Sequence, residues 1–201
     1  MIIIGITGPS GSGKGEVSKY LSSKGARIID ADVVYHDVIT PPSDCVDELV
    51  LNFGKDILTD TGAIDRKRLA SLVFGKENKD KLELLNKITH KYVIFRINDI
   101  ISIYKSQGVG VCVIDAPLLI EADIVKDCNL TVSVLADTNI RTDRIMLRDS
   151  IDKSAAERRI MSQKSDSFYI EYTDEIVYND GDLISLKQQV DTVLAKRGLS
   201  L

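Results

Sequence analysis

The stretch IIIGITGPSGSGK at residues 2–14 constrains the fold more than any other part of the chain. Residues 2–7 are apolar or β-branched at every position except Gly5, the pattern of a parallel strand covered on both faces. Glycines at 8, 11 and 13 break that run, and a helical pattern over 14–24 follows, closed by Gly25. Glycine lets the backbone turn sharply and aim successive N–H groups at one anion, and a helix N-terminus adds favourable partial charge. The spacing Gly8-x-x-x-x-Gly13-Lys14, between a strand and a helix, is that of a phosphate-holding loop. Gly11, Ser12, Gly13, Lys14 and Gly15 are its candidate nucleotide contacts, with Lys14 reaching the β- and γ-phosphates. One position departs from the pattern. Where a serine or threonine hydroxyl usually holds magnesium the chain has Gly15, so phosphates, waters and other carboxylates must hold the metal. The adjacent Glu16 either reaches the metal's water shell or is an acidic residue placed in a helix's first turn.

A chain of 201 residues with 44% hydrophobic and 28% charged residues suits one α/β domain with small insertions. Its net charge of -4 argues against nucleic acid as a partner. Cys45, Cys112 and Cys128 are scattered and odd in number, as expected of free thiols in a reducing compartment. His36 and His90 are the only histidines, too few for a transition-metal cluster. Apolar runs fall short of a membrane span, and MIIIGIT lacks the basic lead of a signal peptide. The expectation is a cytoplasmic protein, a monomer or small homo-oligomer, with small-molecule partners and no membrane contact.

Four further strands follow the first: 27–30, 109–115, 130–136 and, more weakly, 175–179. A last helix places Leu183, Leu186, Val190, Val193 and Leu194 on one face. Strands alternating with helices predict a doubly wound parallel five-stranded sheet, with ligands at the strands' carboxyl ends. Residues 1–36, 108–140 and 173–201 form this nucleotide-binding core. Residues 37–107 read as an inserted helical region large enough for a second substrate, with helices near 43–53, 65–74 and 78–106. Residues 141–172 are rich in Arg, Lys and Ser and read as two short helices, the second opened by a Ser154-x-x-Glu157 capping box. They form either a mobile basic lid or a solvated helical hairpin.

Asp115 ends the third predicted strand, where a carboxylate beside the phosphate loop orients magnesium through water. Asp30-Ala-Asp32 ends the second, and His36 lies four residues beyond Asp32 on the same helical face. Phosphoryl transfer to a hydroxyl needs a carboxylate that orients the acceptor. Asp32 is the candidate, with a second, water-mediated claim on the metal, while Asp30 reads as structural.

Together these segments resemble the dephospho-CoA kinase family nearly end to end. GITGPSGSGK resembles its phosphate loop, IIDADVVYHDV its Asp-Ala-Asp-x-x-x-His segment, and GAIDRKRLASLVF with LLNKITH its helical acceptor region. IDAPLLIE resembles a strand-and-turn stretch, RIMLRDSIDKSAAERRIMSQ the lid, and EIVYNDGDLISLKQQVDTVL the last strand and helix. The resemblance implies a P-loop NTPase-type fold that transfers the γ-phosphate of ATP, with Mg2+, to the ribose 3′-hydroxyl of dephospho-CoA. It makes Asp32 the acceptor-side base or orienter and His36 a neighbour of the acceptor. Arg66, Leu118 and Leu119 would hold dephospho-CoA, Arg148 would clamp phosphate charge, and Arg141 and Asn179 would lie near the ATP base. The chain departs from the family at Gly15, at Lys91 where proline is common, and at Ile120 where phenylalanine is usual.

Two other readings remain open on the residues. A nucleoside-monophosphate kinase shares loop, lid and sheet, and adenylate-kinase-type loops also carry glycine after the lysine. Its phosphate acceptor would want several arginines, for which the insertion offers Arg66, Arg68 and Arg96. A non-catalytic nucleotide switch would need no basic lid, and Asn78-Lys79-Asp80 is one residue short of a guanine motif.

Overall fold

The computed structural model describes residues 1–75 and 77–199. Five strands, β1 (Ile2–Thr7), β2 (Arg27–Asp30), β3 (Val111–Asp115), β4 (Leu130–Leu135) and β5 (Glu175–Tyr178), form one parallel sheet in the order β2-β3-β1-β4-β5. β1 is central. Its Ile4 pairs with Val113 on one side and Leu130 on the other.

The chain divides into two compact units, residues 1–29 with 104–201, and residues 30–103. In the first, α1 (Lys14–Ser23) and α9 (Leu183–Lys196) supply Val17, Leu21, Leu186, Val190 and Leu194 to a core with Ile4, Ile6, Val113, Val132 and Val177. Each such side chain contributes roughly 1.5–3 kcal/mol when withdrawn from water. On the other face of β1, a Cβ at Gly5 would lie 2.7 Å from both Leu119 and Cys128. Glycine at that strand position is what admits them.

Residues 138–172 form three helices in this unit, α6 (Thr138–Asp149), α7 (Lys153–Met161) and α8 (Asp166–Tyr172). Two expectations need correction here. The third helix was not expected, because Phe, Tyr and Ile in DSFYIEY favour strands; Thr173 ends the helix and its hydroxyl donates to the Tyr169 carbonyl. The expected box at Ser154 is also displaced. Asp152 caps α7 by accepting from Ala155 N at 2.7 Å, and the Ser154 hydroxyl accepts instead from Arg158.

The second unit is helical: α2 (Ala31–Val38), α3 (Asp44–Phe53), α4 (Arg66–Val73) and most of α5 (Lys79–Ser106). Its own core contains Ile39, Cys45, Leu49, Ile57, Leu69, Val73 and Ile88. Burial there pushes the Cys45 thiol up to about 11, so it packs as an inert apolar group. Lys91 pairs with Glu48, which also accepts from Tyr92 at 2.7 Å. These two donors, Lys91 first, hold the Glu48 carboxyl below its ordinary value.

Candidate active site

The phosphate loop begins where β1 ends and closes on Gly13, which caps α1 at φ 95°, ψ 26°. That left-handed conformation costs an L-residue about 1–2 kcal/mol, and glycine nothing. An α-helix leaves its first N–H groups short of helical acceptors, and α1 begins where the loop ends. The Lys14 ammonium folds back onto the loop, donating to the Gly8 carbonyl at 2.8 Å and the Pro9 carbonyl at 3.4 Å. Ser12 Oγ is buried with no hydrogen-bond partner among the described residues. An unpaired buried hydroxyl is costly, and a bound anion offers it an acceptor. Helix N–H groups, a lysine and an orphaned hydroxyl together fit a phosphate.

The loop is braced from outside by carbonyl contacts. Arg141, Arg144 and Arg148 lie at spacings of three and four on one face of α6. Arg141 Nε donates to the Ser10 carbonyl at 3.0 Å, and Arg144 donates to the Gly11 carbonyl at 3.3 Å and to the Asn179 carbonyl at 3.0 Å. Asn179 Nδ2 in turn donates to the Ser12 carbonyl at 2.8 Å. Gln163 Oε1 accepts from both Ser10 N (3.2 Å) and Arg141 (2.7 Å). Arg141 and Asn179, expected beside an ATP base, are thus engaged with the loop itself, both nearly buried. Burial lowers the Arg141 pKa, which the Asp166 charge partly opposes.

Arg148 is exposed and donates to Ser10 Oγ at 3.1 Å while pairing with Asp149. The Asp149 hydrogen bond raises the Arg148 pKa and Arg148 holds the Asp149 carboxyl low; Arg159 also pairs with Asp149. Arg148 therefore carries full charge beside the loop. Glu16 pairs with Lys19 at 2.7 Å on an open surface. A Cβ built on Gly15 meets nothing within 4 Å.

Asp115, at the carboxyl end of β3, pairs in register with Ile6 of β1. Its Oδ2 accepts from Ser18 Oγ at 2.6 Å. Among the described residues no three His, Cys, Asp or Glu side chains converge as a metal cage. Magnesium needs no such cage: one carboxylate plus substrate phosphates and waters is its ordinary set, and Asp115 with the loop fits it. Downstream of β3, Leu118 is 48% exposed whereas Leu119 is fully buried against the Gly5 position. Leu119 therefore supports the turn from within, where contact with a substrate was expected.

The second unit carries the remaining expected residues. Asp30 Oδ1 caps α2 by accepting from Asp32 N and Val33 N at 2.9 and 3.2 Å, the structural role read from its sequence. This leaves Asp32 exposed in the first turn of α2. Arg66 opens α4, which Asp65 caps, and donates to His36 Nδ1 at 2.5 Å. A guanidinium has no acceptor, so Nδ1 must be the unprotonated ring nitrogen. Arg66 and His36, thirty residues apart, are thus brought together.

Sequence reasoning missed Ser18, Arg144 and Gln163. Ser18 follows Lys14 by four residues and Arg144 follows Arg141 by three, so helical spacing held a signal for both. Gln163, beyond the end of α7, carried none.

A sequence model of the dephospho-CoA kinase family matches residues 2–185. A dephospho-CoA kinase from Fusobacterium nucleatum is 39% identical over 191 residues, spanning 95% of this chain and 96% of that protein. One from Carboxydothermus hydrogenoformans is 36% identical over 194 residues, spanning 96% and 93%. The solved structure of TT1252 from Thermus thermophilus matches with a TM-score of 0.80 at 26% identity, over 97% of both chains.

Proposed function

The chain belongs to the dephospho-CoA kinase family, and from that premise we propose how its residues divide the reaction. It is an ATP-dependent kinase acting on dephospho-CoA in coenzyme A biosynthesis. The acceptor atom is the ribose 3′-hydroxyl: its oxygen bonds to the γ-phosphorus, the β–γ bridging bond breaks, ADP leaves, and the hydroxyl proton passes to Asp32. The reading rests on one observation above all, a Gly8–Lys14 loop opening α1 with an arginine face set against it.

The N–H groups of Gly11, Ser12, Gly13, Lys14 and Gly15 cradle the phosphates. Lys14 exchanges the Gly8 and Pro9 carbonyls for β- and γ-oxygens, and Arg148 exchanges Ser10 for the transferring group. Removing one preorganised donor aimed at developing charge costs roughly 10²–10³ in rate. Asp115 would hold magnesium through water, with Glu16 and Asp32 as further water-mediated contacts, and the ion would supply neutralisation of phosphate charge. Residues 37–107 form the acceptor region; His36, Arg66 and Leu118 hold dephospho-CoA, and Leu119 backs the turn. Residues 141–172 act as a lid that excludes water from the phosphate. Among the described residues no helix is long and apolar enough to cross a membrane.

Asp32 gives the sharpest test. Asp32→Asn should lower kcat by at least about 10²-fold, the range of a positioned general base, with little change in ATP affinity. An unchanged kcat would remove Asp32 from the mechanism.

A further inference from the structure

The hydroxyl absent at residue 15 has a counterpart one turn along the same helix. Ser18 lies four residues after Lys14, so both project from one face of α1. Its side chain is nearly buried, at 6% exposure. A serine inside a helix ordinarily donates to the carbonyl four residues back, yet Ser18 reaches across to β3 and donates to Asp115 Oδ2 at 2.6 Å. That is the length of a charge-assisted O–H···O⁻ bond, about twice the strength of a neutral one. Glycine at residue 15 has no side chain to hold the carboxylate, and the space beside it is open.

We propose that Ser18 is a positioning residue for the magnesium site: its hydroxyl fixes the rotation of the Asp115 carboxylate, supplying from the second turn of α1 an anchor that residue 15 lacks. The proposal rests on the assignment of Asp115 as the magnesium-orienting carboxylate. Groups that orient a metal's ligands typically carry 10–100-fold in metal affinity, although they never touch the ion. The benefit to Asp115 is directional. A hydrogen bond to one oxygen narrows the rotations of a carboxylate and so the directions its remaining lone pairs take.

Calorimetric titration with ADP, with and without magnesium, separates this role from a structural one, because it reads metal binding without turnover. In Ser18→Ala the gain in ADP affinity conferred by magnesium should fall about 10-fold, while affinity for metal-free ADP stays as in the wild type. Ser18→Thr and Ser18→Val have the same shape and differ in the hydroxyl. The threonine variant should keep the magnesium gain and the valine variant lose it, even if Ser18→Ala folds poorly. Gly15→Ser combined with Ser18→Ala should recover part of the gain. Equal losses with and without magnesium, or equal behaviour of the threonine and valine variants, would overturn the proposal. Asp115→Asn tests the underlying assignment separately. If it leaves the magnesium gain intact, the Asp115 reading fails, whereas loss in Asp115→Asn alone, with Ser18→Val unaffected, defeats only the role of Ser18.

Discussion

At the scale of single residues, the two glycines flanking Lys14 do opposite things. Gly13 sits at φ 95°, and a Cβ there would fall 2.0 Å from Asn179 Nδ2, the atom that holds the Ser12 carbonyl. Gly13→Ala must therefore both strain the backbone and push Asn179 off the loop. The expected cost is about 1–2 kcal/mol for the left-handed backbone alone, together with loss of nucleotide binding. Gly15 lies within α1 with open space around its Cα, so Gly15→Ala should be neutral or stabilise by roughly 0.5–1 kcal/mol. Urea denaturation and ADP titration of the two variants check this pair; equal stability of both would contradict the loop geometry. The glycine pattern was legible in the sequence because only a turning backbone needs it. The burial that makes Leu119 a support and leaves Leu118 on the surface was not, since two adjacent leucines carry no signal that separates them.

At the scale of elements, strands β1, β3 and β4 were legible because buried parallel strands are continuous runs of β-branched and aliphatic residues. Helices α7 and α8 were harder. Asp152 and Ser154 are both sound caps, and Asp152 holds the N-terminus. The arginine face of α6 shows the same limit: which helix faces the loop is a property of the fold, and Arg144 acquires its place only there. At the far edge of the sheet, Glu175 of β5 is clasped by Lys196 and Arg197 at the end of α9, each at 2.7 Å. Hydrogen bonding from Lys196 and then Arg197, against some desolvation, lowers its pKa from 4.5. A carboxylate whose folded pKa is depressed adds stability above its unfolded pKa and loses it as pH falls through the folded one. The clasp should therefore support the fold at neutral pH and weaken below about pH 4.5. Urea midpoints of the wild type and Glu175→Gln should differ at pH ~7 and draw together as the pH falls through the folded pKa of Glu175. A gap that stays constant or widens in acid would refute the clasp.

At the scale of the whole molecule, the residues proposed to carry the chemistry fall into two groups that match the two compact units. Lys14, Asp115 and Arg148, with Ser18, belong to the sheet-based unit; Asp32, His36 and Arg66 belong to the helical one. The phosphate loop by itself is generic to many kinases, and the ordered set of segments narrowed it to one family. Contacts such as Arg66 with His36 join residues thirty positions apart and could not be read from local spacing. The most direct test of the central claim follows phosphorus. With ATP, magnesium and dephospho-CoA, phosphorus NMR should show a new 3′-phosphomonoester appearing in step with ADP, and Lys14→Ala should abolish both. ADP release without that resonance, or phosphorylation of AMP, UMP or CMP in place of dephospho-CoA, would contradict it.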